Sequence, residues 1–277
     1  MKDTQPLIIV STGRTGTIFF ARLLAELYPQ VSSHHEYGWS RPVQILSNMY
    51  FAGLLPKSLL VLGWKVFKGK DLIACPKPFW VENNSFLYGL IAVAPELYPN
   101  VRVLHLVRDP RTYVTSHMNF SRFRPTSFIA NYLVPMWQPS PFLTGEIPWK
   151  NYFKFTRFQR FCWIWDFKNR VIRRLESTEV PYLRMRFEDI FYAKNPERAF
   201  DEIADFFGLP RVTNVAQRFR QPLNAAPKNM FPEWPEWTPA QCAQLDALCG
   251  RQMREFGYGS EPAWLEKLSA AASLRRL

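Results

Sequence analysis

The sequence predicts an α/β fold in which a central, mainly parallel sheet is flanked by helices and interrupted by an aromatic-rich irregular insertion. Three observations carry this expectation. Short apolar runs with β-branched residues, Leu7-Ile-Ile-Val10 and Val101-Arg-Val-Leu-His-Leu-Val107, suit buried parallel strands. Each runs through a short turn into a helical pattern, and strands alternating with helices imply a parallel sheet. Residues 117–150 then break that rhythm, with Pro125, Pro135, Pro139, Pro141 and Pro148 set among many aromatics.

In chain order, Leu7–Val10 is followed by Ser11-Thr-Gly-Arg-Thr-Gly-Thr17 and a helix face built from Ile18, Phe19, Ala21, Leu23, Leu24 and Leu27. Val31 to Trp39 reads as a short second strand entering a loop, and Leu60 to Phe67 as another strand. Glu82 to Leu97 reads as a helix capped by Asn or Ser and stopped before Pro99. The central strand Val101–Val107 meets Arg108-Asp-Pro-Arg, where Pro110 suits the first turn of a helix. After the insertion come a long helix from about Tyr152 to Leu175, a strand at Tyr182–Phe187, and a helix from Asn195 to Phe207 that stops at Gly208-Leu-Pro210. Residues 211–238 are polar and rich in proline, Pro239–Phe256 returns to helix, and Gly257-Tyr-Gly259 leads to a weakly amphipathic tail. No internal repeat interrupts the chain. Residues 1–277 are expected to form one domain, with 117–150 as an insertion or lid beside the acceptor site.

A chain of 277 residues, 47% hydrophobic and 16% aromatic, can bury a sizeable core. The formal charge of +12 favours an anionic partner. Its arginines are scattered over residues 102–220, so charge alone does not select among nucleotide, nucleic acid, sulfated polymer and membrane. Cys75, Cys162, Cys242 and Cys249 form no CxxC pair and have no histidine at ligand spacing, which argues against a zinc site or a disulfide framework. There is neither an N-terminal leader pattern nor an apolar span of membrane length. The expectation is a reduced, cytoplasmic enzyme, with a peripheral membrane contact left open.

The chemistry concentrates in the first turn. Gly13 and Gly16 let successive N–H groups point one way at a helix N-terminus, which attracts phosphate or sulfate. Arg14 adds a permanent cation, and Thr15 and Thr17 add hydroxyls. The motif is not the triphosphate cradle G-x-x-x-x-G-K-[ST], because Thr17 stands where that motif has lysine. A second anion position is expected at Arg108 and Ser116, at the end of a central strand and two turns into the next helix. Glu36, or His35 beside it, can act as a base toward a hydroxyl. Lys228, on a late loop, can fold over a nucleotide.

Taken together, Gly13-Arg-Thr-Gly-Thr17, the Arg108…Ser116 pair, Arg186-Phe-Glu-Asp-Ile190 and the Lys228 loop resemble the PAPS-dependent sulfotransferases, closest to the bacterial and carbohydrate-type branches. PAPS is 3′-phosphoadenosine-5′-phosphosulfate. The resemblance implies a P-loop-type three-layer fold and transfer of a sulfuryl group to a hydroxyl of a small-molecule, lipid or carbohydrate acceptor, with PAP as the product. It assigns the 5′-phosphosulfate to Arg14, Thr15, Gly16, Thr17 and Ile18. The 3′-phosphate falls to Arg108 and Ser116, with Lys228 closing over it or over the adenine. Glu36 would be the base, 22 positions after Arg14, and His35 the reserve. Glu188 and Asp189 match a family motif taken to be structural. Many members carry lysine at the position of Arg14, whereas arginine stays protonated and acts by charge and hydrogen bonding. No metal is implied, and no nucleic-acid partner. Aromatics of the insertion, Phe120, Phe123, Phe128, Tyr132, Trp137, Phe142 and Trp149, are candidates to line the acceptor pocket, so an apolar or aromatic acceptor is allowed. Two other readings stand beside this one: a P-loop kinase of small metabolites, and a non-catalytic polyanion binder.

Overall fold

The structure is a computed structural model that describes residues 4–98, 100–120, 136–219 and 231–274. The chain runs β1 (Gln5–Ser11), α1 (Thr17–Leu27), β2 (Val31–His35), α2 (Ser40–Phe51), α3 (Lys57–Phe67), α4 (Gly69–Ile73) and β3 (Phe79–Asn84). A 3-10 turn at Leu87–Ala92 leads to α5 (Ala94–Leu97), β4 (Arg102–Val107) and α6 (Pro110–Phe120). The helix Arg157–Arg173 precedes β5 (Tyr182–Arg186), and the helices Pro196–Phe207, Pro239–Glu255 and Pro262–Leu274 follow it. The five strands form one sheet in the order β2-β3-β1-β4-β5, and every pairing is parallel.

Alternation along β1 divides the core between the two faces of the sheet. Leu7 and Ile9 pack with Phe20 and Leu24 of α1 and with Phe200 and Phe207 on one face. Ile8 and Val10 pack with Trp64, Tyr88, Phe167 and Ile172 on the other. Each such side chain contributes about 1.5–3 kcal/mol when fully buried. A third cluster around Trp165, Trp237 and Trp264 supports Val107 and the face of α6. Helix, sheet and helix therefore form three layers. The strand order changes direction between β1 and β4, and ligands of α/β sheets bind outside the carboxyl ends of strands at such a switch point.

Three sequence expectations are corrected. Leu60–Phe67 is not a strand but most of α3, begun after Pro56. Leu60 and Trp64, four residues apart, are buried, while Leu59, Leu62 and Val66 face outward. A helix with apolar residues on both sides looks like a buried strand when read by composition alone. Glu82–Leu97 is not one helix: Glu82, Asn83 and Asn84 close β3, and only Ala94–Leu97 is α-helical beyond it. Those three polar residues are buried within the sheet and hydrogen-bonded there, so their polarity disguised a central strand. The long helix starts at Arg157 rather than near Tyr152. Thr156 forms a capping box with Gln159, and a separate turn at Trp149–Tyr152 precedes it. Among the described residues no helix is long and apolar enough to cross a membrane.

Candidate functional site

The turn after β1 is held open by its backbone. Gly13, Arg14 and Gly16 all have positive φ, at 99°, 58° and 74°. Successive left-handed residues turn their N–H groups into a concavity. At Gly16 a side chain fails twice, because an added Cβ would also stand 2.6 Å from Phe191 Cζ. Ser11 organises the turn from below: its Oγ accepts from Gly13 N at 3.1 Å and from the Thr15 hydroxyl at 2.7 Å. The Thr15 hydroxyl is therefore directed into the protein. Thr17 opens α1, whose first turn carries no acidic residue, and Ile18 follows it. The Thr12 hydroxyl is buried and has no hydrogen-bond partner among the described residues. A concave run of amides, an unengaged hydroxyl and a helix N-terminus without acidic side chains fit an oxyanion.

The residues expected to form a second anion position lie against the turn. Arg14 Nε donates to Ser116 Oγ at 3.0 Å, and its guanidinium lies 4.6 Å from the Phe120 ring centroid. Arg108 Nη1 donates to the Arg14 carbonyl at 2.6 Å and its Nε to the Thr112 hydroxyl at 2.9 Å. Arg14, Arg108 and Ser116 are thus brought together from β1, β4 and α6. Asp109 is not the partner of Arg108. It caps α6 by accepting from Arg111 N at 2.8 Å and pairs with the buried Arg111 guanidinium at 2.5 Å, which Glu261 also meets. Glu188 accepts from Asp109 N at 3.1 Å and from the Tyr258 hydroxyl at 2.6 Å, tying the end of β5 to the start of α6. Asp189 pairs with Arg186 at the surface.

Glu36 follows β2 and has a φ of 46°, a conformation that a non-glycine residue holds only when its surroundings impose it. Asn83 supplies much of that constraint: its carbonyl accepts from Glu36 N at 3.1 Å and from His35 Nδ1 at 3.1 Å. The His35 ring is thereby oriented with Nε2 as its proton acceptor. One residue beyond Glu36, the buried Lys68 ammonium donates to the Tyr37 carbonyl at 2.6 Å and pairs with Glu82 at 3.0 Å. Glu82 in turn accepts from Tyr37 N at 3.2 Å. The Glu36 carboxylate itself accepts from the Ser85 hydroxyl at 2.8 Å. Ser85 reaches the phosphate-type turn as well, since a Cβ on Gly13 would lie 3.5 Å from Ser85 Cβ. Glu36 therefore faces the turn across a single serine.

Sequence reasoning missed several of these residues. Ser11, Thr12 and Ser85 carry no motif of their own, and Ser85 sat inside a stretch read as helix. Arg41, from α2, packs 3.8 Å from the Phe86 ring centroid and 4.2 Å from that of Trp137. His117, next to Ser116, would lie 3.8 Å from a Cβ on Gly13. Burial, together with Arg14, Lys168, Arg108 and Arg157, holds its imidazole well below the usual histidine range. Lys168 had a readable signal: Ile164, Trp165, Val171 and Ile172, three and four residues to either side, are all buried. A lysine in the middle of an apolar stripe is unusual. Lys228 lies outside the described residues, as do Phe123, Phe128 and Tyr132.

The sulfotransferase-domain family matches residues 91–224, a span that includes β4, Arg108, Ser116 and β5. A sulfotransferase from Mycobacterium avium is 14% identical, with 93% of this chain and 78% of that one covered and a TM-score of 0.56. The mouse sulfotransferase SULT7A1, crystallised with PAP, is 13% identical, with 96% and 88% covered and a TM-score of 0.52. At these identities the likeness is one of fold. No curated protein matches the chain in sequence. The family match is confined to residues 91–224, and the likeness of fold to solved sulfotransferases agrees with it.

Proposed function

We propose that this protein is a sulfotransferase that uses PAPS as its donor and a hydroxyl of a small-molecule, lipid or carbohydrate compound as its acceptor. The observation that carries the reading is the chain of contacts from Arg108 to the Arg14 carbonyl and from Arg14 to Ser116, which brings together the residues expected for two anion positions. A donor with phosphates at both its 5′ and 3′ ends calls for such a pair. The turn amides of residues 13–18, the Thr12 hydroxyl and Arg14 would hold the 5′ end. Ser116, whose hydroxyl proton is still available to donate, and the outer nitrogen of Arg108 would hold the 3′-phosphate. The resemblance adds Lys228 to that end. PAPS, when bound, supplies an activated sulfuryl group.

The chain's own residues do the rest. Glu36, with one carboxylate oxygen fixed by Ser85, takes the acceptor proton with the other. Arg14 and the turn amides stabilise negative charge at the 5′ end, a preorganised electrostatic contribution that needs no rearrangement during the reaction. His35, oriented through Asn83, is the reserve base. Trp137, stacked on Arg41 near Glu36, supports an acceptor site walled by part of the 117–150 segment. The four unpaired cysteines agree with a reducing, cytoplasmic setting.

The test is product detection by mass spectrometry with PAPS and a panel of hydroxylated acceptors, coupled to thermal shift with PAP and with ADP plus magnesium. Sulfated product and stabilisation by PAP in preference to ADP are expected. Stabilisation by ADP–magnesium alone, without sulfated product, would favour the kinase reading.

A further inference from the structure

Lys168, on the helix Arg157–Arg173, is 3% exposed, and its ammonium meets a backbone carbonyl rather than a carboxylate among the described residues. It donates to the Ser85 carbonyl at 3.4 Å and lies 4.8 Å from the Tyr88 ring centroid. Groups from four neighbouring segments act on it. Glu36 comes from the loop after β2, Arg41 from α2, Tyr88 from the 3-10 turn and His117 from α6. Burial keeps Tyr88 and His117 neutral. Burial first, then Arg41, pulls the Lys168 ammonium down to about 7, with Glu36 opposing them. Between that value and the usual lysine range the unfolded chain binds a proton that the folded chain does not, so Lys168 lowers stability at neutral pH. A methionine of the same length would pack there at lower cost.

We propose that Lys168 is a positioning residue for sulfuryl transfer: through Ser85 it holds the Glu36 carboxylate against the phosphate-type turn, and it takes up a proton when the anionic donor binds. The inference rests on the transfer reaction proposed above. The proton comes from the buffer, and no other bond changes. An anion seated in the turn raises the affinity of Lys168 for a proton by Coulomb attraction in a water-poor setting. The extra positive charge then strengthens the hold on the Glu36 carboxylate.

The experiment compares wild type with Lys168→Met by thermal unfolding, by kcat and KM, and by calorimetry of PAP binding at about pH 8 in buffers of different ionisation enthalpy. The variant is expected to melt no lower than wild type and to lose about tenfold or more in kcat, with donor KM within about threefold. Wild type should take up protons on binding PAP, and the variant should not. A residue that merely filled space would leave kcat and the proton count unchanged, and either result overturns the proposal. Should Lys168→Met fail to fold, Ser85→Ala removes the hydroxyl link alone. Its kcat should fall in a folded protein, and an unchanged kcat refutes the link. Wild type that binds PAP with proton uptake but makes no sulfated product contradicts the transfer reading instead. Wild type that is active, beside an equally active Lys168→Met, contradicts only this inference.

Discussion

Glu36→Gln is expected to lower turnover about a hundred- to ten-thousandfold, the range set by loss of a general base. The amide keeps the shape of the side chain and can still accept from the Ser85 hydroxyl, so the φ of 46° and the contact with Asn83 persist. What disappears is a carboxylate oxygen able to take a proton. PAP should therefore bind the variant with nearly wild-type affinity, while sulfated product forms at a small fraction of the wild-type rate. Near-normal turnover would remove Glu36 from the mechanism and turn attention to His35, whose Nε2 is set by the hydrogen bond from Nδ1 to the Asn83 carbonyl.

Arg108→Ala is expected to weaken PAP binding about ten- to a hundredfold, since a charge-assisted hydrogen bond to phosphate contributes about 1.5–3 kcal/mol. The loss should be selective. Wild type should prefer PAP to ADP, and the variant should show a much smaller preference, because only PAP carries a 3′-phosphate. Isothermal titration with both nucleotides measures the contrast. Arg108 also supports the Arg14 carbonyl, so part of the loss falls on the 5′ end and on ADP. An equal loss for the two nucleotides would assign Arg108 to the turn alone.

The contrast between legible and hidden parts of this molecule has a physical basis. β1 and β4 could be read because each is a short apolar run that leads into a turn, and β5 because apolar residues alternate with Arg184 and Arg186; the turn after β1 announced itself through Gly13 and Gly16. β3 could not, because its last residues work for the site. Glu82 pairs with Lys68, Asn83 holds His35 and Glu36, and Asn84 donates to Glu82 at 2.6 Å. Polar side chains chosen for those contacts erase the apolar pattern that marks a strand. α3 was misread for the opposite reason, being apolar on its outer face as well as its inner one. Arg14, Arg108, Ser116 and Glu36 stood out by type and spacing. Ser85 and Lys168 acquire their surroundings only when β3 and the helix Arg157–Arg173 meet, a tertiary event that no local window contains.

The central claim is that two anion positions converge on one doubly phosphorylated adenosine. A crystal structure with PAP tests it most directly. The account predicts the 5′-phosphate on the amides of residues 13–18 and the 3′-phosphate on Arg108 and Ser116, within a single cleft at the carboxyl ends of β1 and β4. A nucleotide lying elsewhere, or Arg14 and Arg108 pointing into separate cavities around it, would contradict the account.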